Sequence, residues 1–499
     1  MEPDHSIVVI GAGFAGIGAA IKLDEAGFSD YVVLEQADGI GGAWHANTYP
    51  GVAVDIPSVS YSFSFEPNPD WSRIYAPGAE LKAYAEHCVD KYGLRDRIRL
   101  DTRVTGAEFD ETAHMWRLLI EPGSVITARH VIMANGLLTQ PKNPDIAGLD
   151  RFDGKIVHTA QWDHDHDVSG KRVAVIGTGA SAVQVVPAIA DAAETVVVFQ
   201  RTPIWVIPKF DRAIARSVRS LFRHLPPARL AARFAANALC EALLVLAFHY
   251  NRSLPGLNRA IERVCRNHLR DQVPDSALRE KLTPSYGFGC KRPTFSNHYL
   301  SSFVRDDVEL ETTPIQEITA HGVRTADGHL HEVDTLILAT GFAVFDKSNV
   351  PPFPISGVDN TDLSTWYDTN RFQSYQGVSV PGFPNMFTIL GPYGFNGTSY
   401  FHLIETQMRH IVRCLRHARR LDASQIDVTH EANDRYFASM LRRRRGQVFF
   451  NGTCGSSNSY YFDRHGDVPV LRPVTSVEAR WRSTHFDMND YRFEARDPA

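Results

Sequence analysis

The chain has 499 residues, of which 43% are hydrophobic and 22% are charged, and its formal net charge is -5. This length allows two or three domains, each with its own core. The near-average composition excludes collagen-like, disordered and disulfide-scaffold proteins. The slight negative charge provides no basic field for nucleic acid, so none is expected as a partner.

The cysteines and the first residues predict a compartment. The six cysteines are far apart, and no two of them are closer than 25 positions. No CxxC redox pair or clustered zinc site is therefore expected. The first five residues are acidic and lack the basic start and apolar core of a secretory signal, which predicts a reducing cytoplasm.

The first predicted unit is a strand, a glycine-rich turn, a helix and a second strand between Ile7 and Glu35. The turn, residues 11–16, reads GAGFAG directly after the apolar strand 7–10. Glycines at these spacings permit a tight turn and a close approach of the backbone to a pyrophosphate. Glu35 ends the second strand, where its carboxylate can accept hydrogen bonds from a ribose. The turn alone is weak evidence, but together these features predict a dinucleotide site with contacts at Gly11, Gly13, Phe14, Ala15, Gly16, Glu35 and Gln36.

A second copy of the pattern spans Arg172 to Arg201, and its turn reads GTGASA. The strand that ends in an acid in the first copy here runs into Gln200, Arg201 and Thr202. A carboxylate would repel a 2′-phosphate, whereas a guanidinium can bind it bidentately. The second site is therefore predicted to select NADPH over NADH, unless Arg201 is only a surface residue. Its predicted contacts are Gly177, Thr178, Gly179, Ala180, Ser181, Ala182, Arg201 and Thr202.

Strands alternating with helices predict an α/β fold with two Rossmann-like dinucleotide-binding domains. Residues 128–136 and 333–339 each predict a further strand that ends at a turn. Residues 211–284 have apolar side chains at helical spacing, which predicts a helical insertion whose arginines form a solvated face. The apolar run 235–250 carries Glu241 and is too short to span a bilayer. It predicts a buried or interfacial helix, with weak peripheral membrane contact as an alternative.

Residues 152–163 resemble the fingerprint FxGxxxHxxxW, followed by Pro or Asp, of the type I Baeyer–Villiger monooxygenases. Related flavin monooxygenases that oxygenate nitrogen or sulfur usually carry another aromatic residue at the tryptophan position. In the family the histidine couples domain movements and does not oxygenate the substrate, and a purely structural histidine is the alternative. The matching residues are Phe152, Gly154, His158, Trp162 and Asp163.

Further motifs extend this resemblance over nearly the whole chain. Residues 41–44 and 49–55 are similar to the family's flavin-side segment, with Ala43 where threonine is common, and residues 289–293 to the segment with the active-site arginine. Asn135, the helical insertion and the tail from Gly452 match less well. The resemblance implies FAD contacts at Gly42, Ala43, Trp44, Asp55, Tyr61 and Val104.

The resemblance also implies a domain order. The FAD-binding domain would occupy residues 1–145 and 380–499, including the C-terminal tail. The NADP-binding domain would occupy 146–210 and 285–379, with the helical insertion at 211–284 between its parts.

The family's chemistry implies roles for three side chains. NADPH reduces FAD, O2 adds to the flavin C4a position, and the resulting peroxide attacks a ketone to give an ester or lactone. Arg292 would stabilise the negative charge on oxygen, and Asp55 would orient Arg292. Lys291 could share the 2′-phosphate of NADPH with Arg201. Taken alone, the sequence KRP at 291–293 is more typical of a surface turn.

Two other functions remain open at this point. A flavin monooxygenase acting on soft nitrogen or sulfur would need no arginine clamp, so Trp162 and Arg292 favour the Baeyer–Villiger interpretation. A flavoprotein that only transfers electrons, or a fold that only binds nucleotide, would give no oxygenated product. The substrate and the oligomeric state cannot be derived from the sequence.

Overall fold

The computed structural model describes residues 2–345, 349–451 and 454–496. The expected tail from Gly452 thus begins outside the described residues. The strands are β1 (His5–Ile10), β2 (Tyr31–Leu34), β3 (Ile98–Arg99), β4 (Val104–Asp110), β5 (Met115–Ile120), β6 (Ser124–Met133), β7 (Lys155–His158), β8 (Arg172–Ile176), β9 (Thr195–Phe199), β10 (Val206–Ile207), β11 (Thr294–Phe295), β12 (Val308–Glu311), β13 (Ile315–Thr319), β14 (Gly322–Thr325), β15 (Leu330–Glu332), β16 (Thr335–Leu338), β17 (Ile355–Ser356), β18 (Met386–Thr388), β19 (Gln425–Val428) and β20 (Tyr491–Glu494).

Helices connect and cover these strands. They are α1 (Phe14–Glu25), α2 (Ala43–Ala46), α3 (Gly78–Lys91), α4 (Ala180–Ile189), α5 (Arg216–His224), α6 (Pro226–Cys240), α7 (Ala247–His249), α8 (Pro255–Gln272), α9 (Ser276–Leu282), α10 (Tyr299–Ser302), α11 (Leu363–Asn370), α12 (Tyr400–Leu421), α13 (His430–Arg443) and α14 (Ser476–His485).

Two sheets form the framework, as the repeated pattern predicts. The first has the order β17-β4-β5-β6-β1-β2-β3, with β18 also paired to β6, and β1 runs parallel to both β2 and β6. The second has the order β12-β9-β8-β16-β7 and is parallel throughout. Parallel strands require crossover connections, and α1 and α4 provide the first crossover in each sheet. The predicted α/β fold with two Rossmann-like units is confirmed.

The chain returns to the first sheet earlier than expected. Ile355 and Ser356 in β17 pair with β4, a strand of the first sheet. The predicted boundary between residues 379 and 380 is therefore too late. The reason is that β17 has only two residues, too few to show an alternation of apolar and polar side chains.

All the helices from α5 to α9 lie within residues 211–284. α6 continues through a π-helical turn at 241–246 into α7, so one continuous helix extends over 24 residues, Pro226–His249. This helix is long and apolar enough to cross a membrane, which corrects the expectation that the apolar stretch is too short. Its second half is embedded in the protein, because Leu244, Val245 and Phe248 are buried.

A disulfide joins two distant parts of the chain. Cys290 and Cys454 are bonded, with Cα atoms 5.2 Å apart and 164 positions between them in the sequence. The other cysteines, Cys88, Cys240, Cys265 and Cys414, are buried thiols. The cysteine spacing did not indicate this bond, since a pairing over such a separation depends on the tertiary fold.

We predict that protein purified in air without reductant, then denatured, has four reactive thiols out of six cysteines. Closing a long loop restricts the unfolded chain, so Cys290→Ser should destabilise the protein by about 2–4 kcal/mol. Thiol titration and thermal unfolding with and without dithiothreitol measure both effects. Dithiothreitol should lower the Tm of the wild type but not of Cys290→Ser, and six reactive thiols would contradict the bond.

Candidate active site

The first glycine turn leaves no room for side chains. Gly11 has φ of 107°, and a Cβ atom there would lie 2.8 Å from the carbonyl oxygen of Ala134. A Cβ atom at Gly16 would lie 1.8 Å from the carbonyl oxygen of Gly11. α1 begins after Gly13 without a side-chain cap, so its first N–H groups are free to bind phosphate oxygens.

Glu35 stabilises this turn from the end of β2. Its carboxylate accepts hydrogen bonds from the backbone N–H groups of Ala12, at 2.7 Å, and Ala37, at 2.9 Å. The N–H of Thr102 donates to the carbonyl oxygen of Glu35, which brings the start of β4, at Val104, close to this acid. Gln36 follows on the exposed side. The predicted contacts at this end of the site are therefore neighbours in space.

The segment 42–44 and Tyr61 lie at the other end of the first turn. A Cβ atom at Gly42 would approach Gly13 Cα to 2.9 Å, so the two backbones are in direct contact. Trp44 follows Ala43, and its Nε1 donates to the hydroxyl of Tyr61 at 3.3 Å. Tyr61 also packs edge-on against Phe14, beside Ala15, in an aromatic cluster. This cluster provides an apolar wall next to the first helix N-terminus.

The second turn repeats the first but is more open. A Cβ atom at Gly177 would lie 2.5 Å from the carbonyl oxygen of Ala339, whereas one at Gly179 would have no neighbour within 4 Å. The Thr178 hydroxyl donates to the carbonyl oxygen of Thr202 at 2.8 Å. α4 then starts with Ala180, Ser181 and Ala182, again without a side-chain cap. A phosphate group can therefore approach the free N–H groups of α4.

Two cations lie together beside this second turn. Burial and the nearby guanidinium of Arg201 lower the pKa of Lys291 to about 8. The Lys291 ammonium also lies 5.6 Å from the ring centre of Tyr286. Like charges in proximity repel, so the pair is unfavourable until an anion binds between them. The arrangement fits a 2′-phosphate and supports the predicted preference for NADPH.

Arg292 and Asp55 form an ion pair across 237 positions of sequence. Arg292 Nε donates to Asp55 Oδ2 at 2.7 Å, and the side chains are 24% and 31% exposed. Burial alone would raise the pKa of Asp55, but Arg292 outweighs burial and holds it below its ordinary value. Burial likewise opposes the charge of Arg292, yet Asp55 keeps the pKa of Arg292 well above its ordinary value. Both groups are therefore ionised.

Several groups around this pair were not found from the sequence. Tyr461 is buried near Arg292: burial raises the pKa of its phenol and the charge of Arg292 opposes this rise, and Tyr460 packs on Tyr461 with ring centres 4.7 Å apart. Lys209 lies near Asp55, with its pKa lowered mainly by burial. Asp55 and Arg292 both influence the buried Cys240 thiol, whose pKa burial raises to about 12. None of these residues belongs to a recognisable motif, so only the fold reveals them.

The segment 454–462 connects the two cofactor sites. Cys454 is bonded to Cys290, Tyr461 contacts Arg292, and Asn458 Nδ2 donates to the Thr202 hydroxyl at 3.3 Å. This segment therefore lies against Cys290, directly before the KRP motif, against Arg292 within the motif, and against Thr202 beside the second glycine turn. The sequence did not indicate this position, because the segment matches the family only weakly.

The fingerprint residues lie at the edge of the second sheet. His158 ends β7, and its Nε2 lies 3.3 Å from the Thr340 hydroxyl, while its Nδ1 accepts the N–H of Ala160. Burial lowers the pKa of His158, so it is neutral. Phe152 is buried and covers Gly154, Trp162 packs on the core, and Asp163 pairs with Lys155 at 2.5 Å. In the described residues, the hydrogen bonds and ion pairs of this group involve neither Arg292 nor Asp55.

Comparison with known proteins places this arrangement in a family. Residues 8–225 match a family model described as pyridine nucleotide-disulphide oxidoreductase. A Baeyer–Villiger monooxygenase of Streptomyces coelicolor is 37% identical over 99% of this chain and 93% of its own. The structure of OTEMO in complex with FAD and NADP aligns with a TM-score of 0.86, at 27% identity, over 99% of this chain and 100% of its own. Oxidized steroid monooxygenase bound to NADP aligns with a TM-score of 0.87, at 30% identity, over 98% and 99%.

These relatives and solved structures align with nearly the full length of the chain. The chain belongs to the Baeyer–Villiger monooxygenase family.

Proposed function

We propose that this chain is a monooxygenase that binds FAD, consumes NADPH and O2, and converts a ketone into an ester or a lactone. The overall reaction takes a ketone, NADPH, a proton and O2 to an ester, NADP⁺ and water. The observation that carries this proposal is the Arg292–Asp55 ion pair, in a chain that also has two intact dinucleotide turns. The named relatives and the cofactors in the solved structures support it.

The first site fits FAD. Gly11, Gly13 and the uncapped start of α1 would hold the pyrophosphate, with Glu35 near the adenosine ribose. Trp44 and Tyr61 would lie towards the flavin. The domain assignment follows, with the first sheet binding FAD and the second binding NADP. When bound, FAD accepts a hydride from NADPH and activates O2, which side chains alone cannot do.

The second site fits NADPH. The open turn at Gly179 and the start of α4 would receive the pyrophosphate. Arg201 and Lys291 would bind the 2′-phosphate, which relieves the repulsion between them. NADH lacks this phosphate and would leave both cations unpaired.

Arg292 would stabilise the negative charge that develops on oxygen during the reaction. Preorganised donors are most effective where water is excluded and where charge appears only in the transition state. Asp55 takes the Nε–H and so fixes the guanidinium plane, while it leaves the terminal N–H donors to other partners. Asp55 is a positioning residue, because its effect on the reaction acts through Arg292.

The other partners are small molecules, and we place the chain in the cytoplasm, where NADPH is available. Purified protein supplied with FAD tests the function directly. NADPH consumption is followed with a panel of ketones and a thioether, and the products are identified by mass spectrometry. Esters containing one added oxygen support the proposal, while hydrogen peroxide alone would indicate a flavoprotein that does not oxygenate, and a sulfoxide without any ester would indicate the sister activity.

We expect Arg292→Ala to lower ester formation by about 10²-fold or more, the effect of losing one donor to an oxyanion. Anaerobic reduction of bound flavin by NADPH should remain measurable, and the loss of flavin absorbance reports it. Arg263→Ala, on the exposed side of α8, is the matched control and should leave both rates unchanged. Ester formation by Arg292→Ala at the wild-type rate would exclude this role.

Arg201→Ala should raise the KM for NADPH by about tenfold or more, since it removes a charge-assisted hydrogen bond. The KM for NADH should change little, because NADH has no 2′-phosphate. Steady-state kinetics with the two nucleotides make this comparison within one protein. Equal increases in both KM values would show that Arg201 does not read the phosphate.

Lys291 predicts a pH dependence of nucleotide binding. Its ammonium has a pKa of about 8 and attracts the 2′-phosphate only while protonated. The KM for NADPH should therefore rise as pH increases through about 8, and the KM for NADH should not. In Lys291→Arg the guanidinium stays charged over this range, so the rise should disappear. A rise that persists in Lys291→Arg would assign the pH dependence to another group.

A further inference from the structure

The surface formed by α5 and α6 has an unusual distribution of polarity. Pro227, Leu230, Ala231, Phe234 and Ala235 follow one another at helical spacing on α6, and all are exposed. In the most apolar 18-residue window of the continuous helix, 22% of the residues are buried. A helix on the surface of a protein in water normally turns its apolar stripe towards the core. α6 does the opposite.

The arginines of α6 occupy the protein side. Arg233 donates from Nη2 to the carbonyl oxygen of Ser62 at 2.8 Å and from Nη1 to the Ser62 hydroxyl at 3.1 Å. Its neighbour Arg229 is half-buried. The fold therefore holds α6 by polar contacts and presents its apolar side outwards. This orientation is fixed by specific hydrogen bonds.

α5 packs against α6 and extends the same surface. Arg216, Arg219 and Arg223 follow one side of α5, while Val218 and Leu221 follow another and are both exposed. Together the two helices and Leu225 between them expose six large apolar side chains. These are Val218 at 38%, Leu221 at 46%, Leu225 at 48%, Leu230 at 58%, Phe234 at 76% and Leu239 at 46%.

The charged side chains of this segment are all arginines: residues 212–240 contain six, and no aspartate or glutamate occurs among them. Arg229 and Arg233 lie on the protein side and Arg223 pairs with Asp70, so Arg216 and Arg219 are the arginines of the two helices that remain for a partner. Exposed apolar side chains beside arginines are typical of helices that lie in the interface of a membrane. Anionic headgroups complement the arginines, and the apolar side chains can enter the acyl boundary.

A second copy of the chain is a less suitable partner for the surface of α5 and α6 than a lipid membrane. In a twofold dimer this surface would pack against the same surface of the other copy. The arginines would then meet arginines with no carboxylate of the same segment to pair them, and like charges brought together across an interface oppose association. The observations therefore favour a lipid surface.

We propose that residues 216–239 dock on an anionic lipid bilayer, with α5 and α6 lying in the plane of its interface. This corrects the membrane hypothesis drawn from residues 235–250, since the later part of that stretch is embedded in the protein. The continuous helix does not cross the bilayer. Its buried end packs on the active-site turn, because a Cβ atom at Gly289 would lie 3.2 Å from the ring of Phe248. One helix thus connects the lipid-facing surface to the turn that carries Arg292.

Sedimentation with vesicles tests the docking. The holoenzyme should bind vesicles of phosphatidylcholine with phosphatidylglycerol and bind pure phosphatidylcholine vesicles much more weakly. Leu230→Ser/Phe234→Ser should lower the partition coefficient by about tenfold or more, because two apolar side chains no longer enter the interface. Arg216→Gln/Arg219→Gln should reduce the preference for anionic vesicles, by about fivefold for each arginine.

Trp481→Ser is the matched control, since Trp481 is 59% exposed on α14, outside the docking surface. Its binding should equal that of the wild type. FAD content and NADPH oxidation establish that each variant is folded, and hydrogen exchange of the wild type should slow at 216–239 when anionic vesicles are added. Equal binding by wild type and Leu230→Ser/Phe234→Ser would overturn the proposal. So would the absence of vesicle binding at low salt, or a lipid-free dimer that Phe234→Ser dissociates.

Discussion

The arrangement of the site depends on keeping one partly buried arginine charged and correctly oriented. Taking a guanidinium out of water costs free energy, and a carboxylate offsets this only at close range and with good geometry. Asp55 meets that condition with a 2.7 Å contact to Arg292. Three parts of the chain must therefore fold together: the loop that carries Asp55, the turn of Gly289 against Phe248, and the segment joined through Cys454. The pair is a product of the whole tertiary structure.

The two dinucleotide units show how one fold acquires two specificities. Both turns use a glycine at positive φ where a Cβ atom would collide with a carbonyl oxygen, Gly11 in the first and Gly177 in the second. They differ at the end of the following strand. Glu35 accepts hydrogen bonds from backbone N–H groups and completes the first turn, whereas Arg201 is exposed and lies near Lys291. In the proposed function, the shared geometry sets where each pyrophosphate binds, and the changed charge selects the nucleotide.

Features that depend on neighbouring residues were predictable from the sequence. The strands and glycine turns of the two repeated units follow from short patterns whose physical requirements are local, as do Glu35 and Arg201 just beyond the second strand of each unit. The contacts of Tyr461 and Asn458, the Cys290–Cys454 bond and the reversed polarity of α6 depend on residues more than 150 positions away. The strand β17 was not predicted because its two residues are too few to show an alternation of apolar and polar side chains. The family resemblance supplied Arg292 and Asp55, which the residues alone did not distinguish from a surface turn.

Lys291 and Arg292 are adjacent in sequence but face opposite electrostatic surroundings. Arg292 is paired with Asp55, so its charge is compensated before any cofactor binds. Lys291 is near another cation, and burial together with the charge of Arg201 lowers its pKa to about 8. A rigid cation that is already paired can stabilise a negative charge that exists only during the reaction. A cation next to another cation is stabilised most by an anion that arrives with the nucleotide. In the proposed function, one turn thereby presents neighbouring cations to two successive events, nucleotide binding and oxygen transfer.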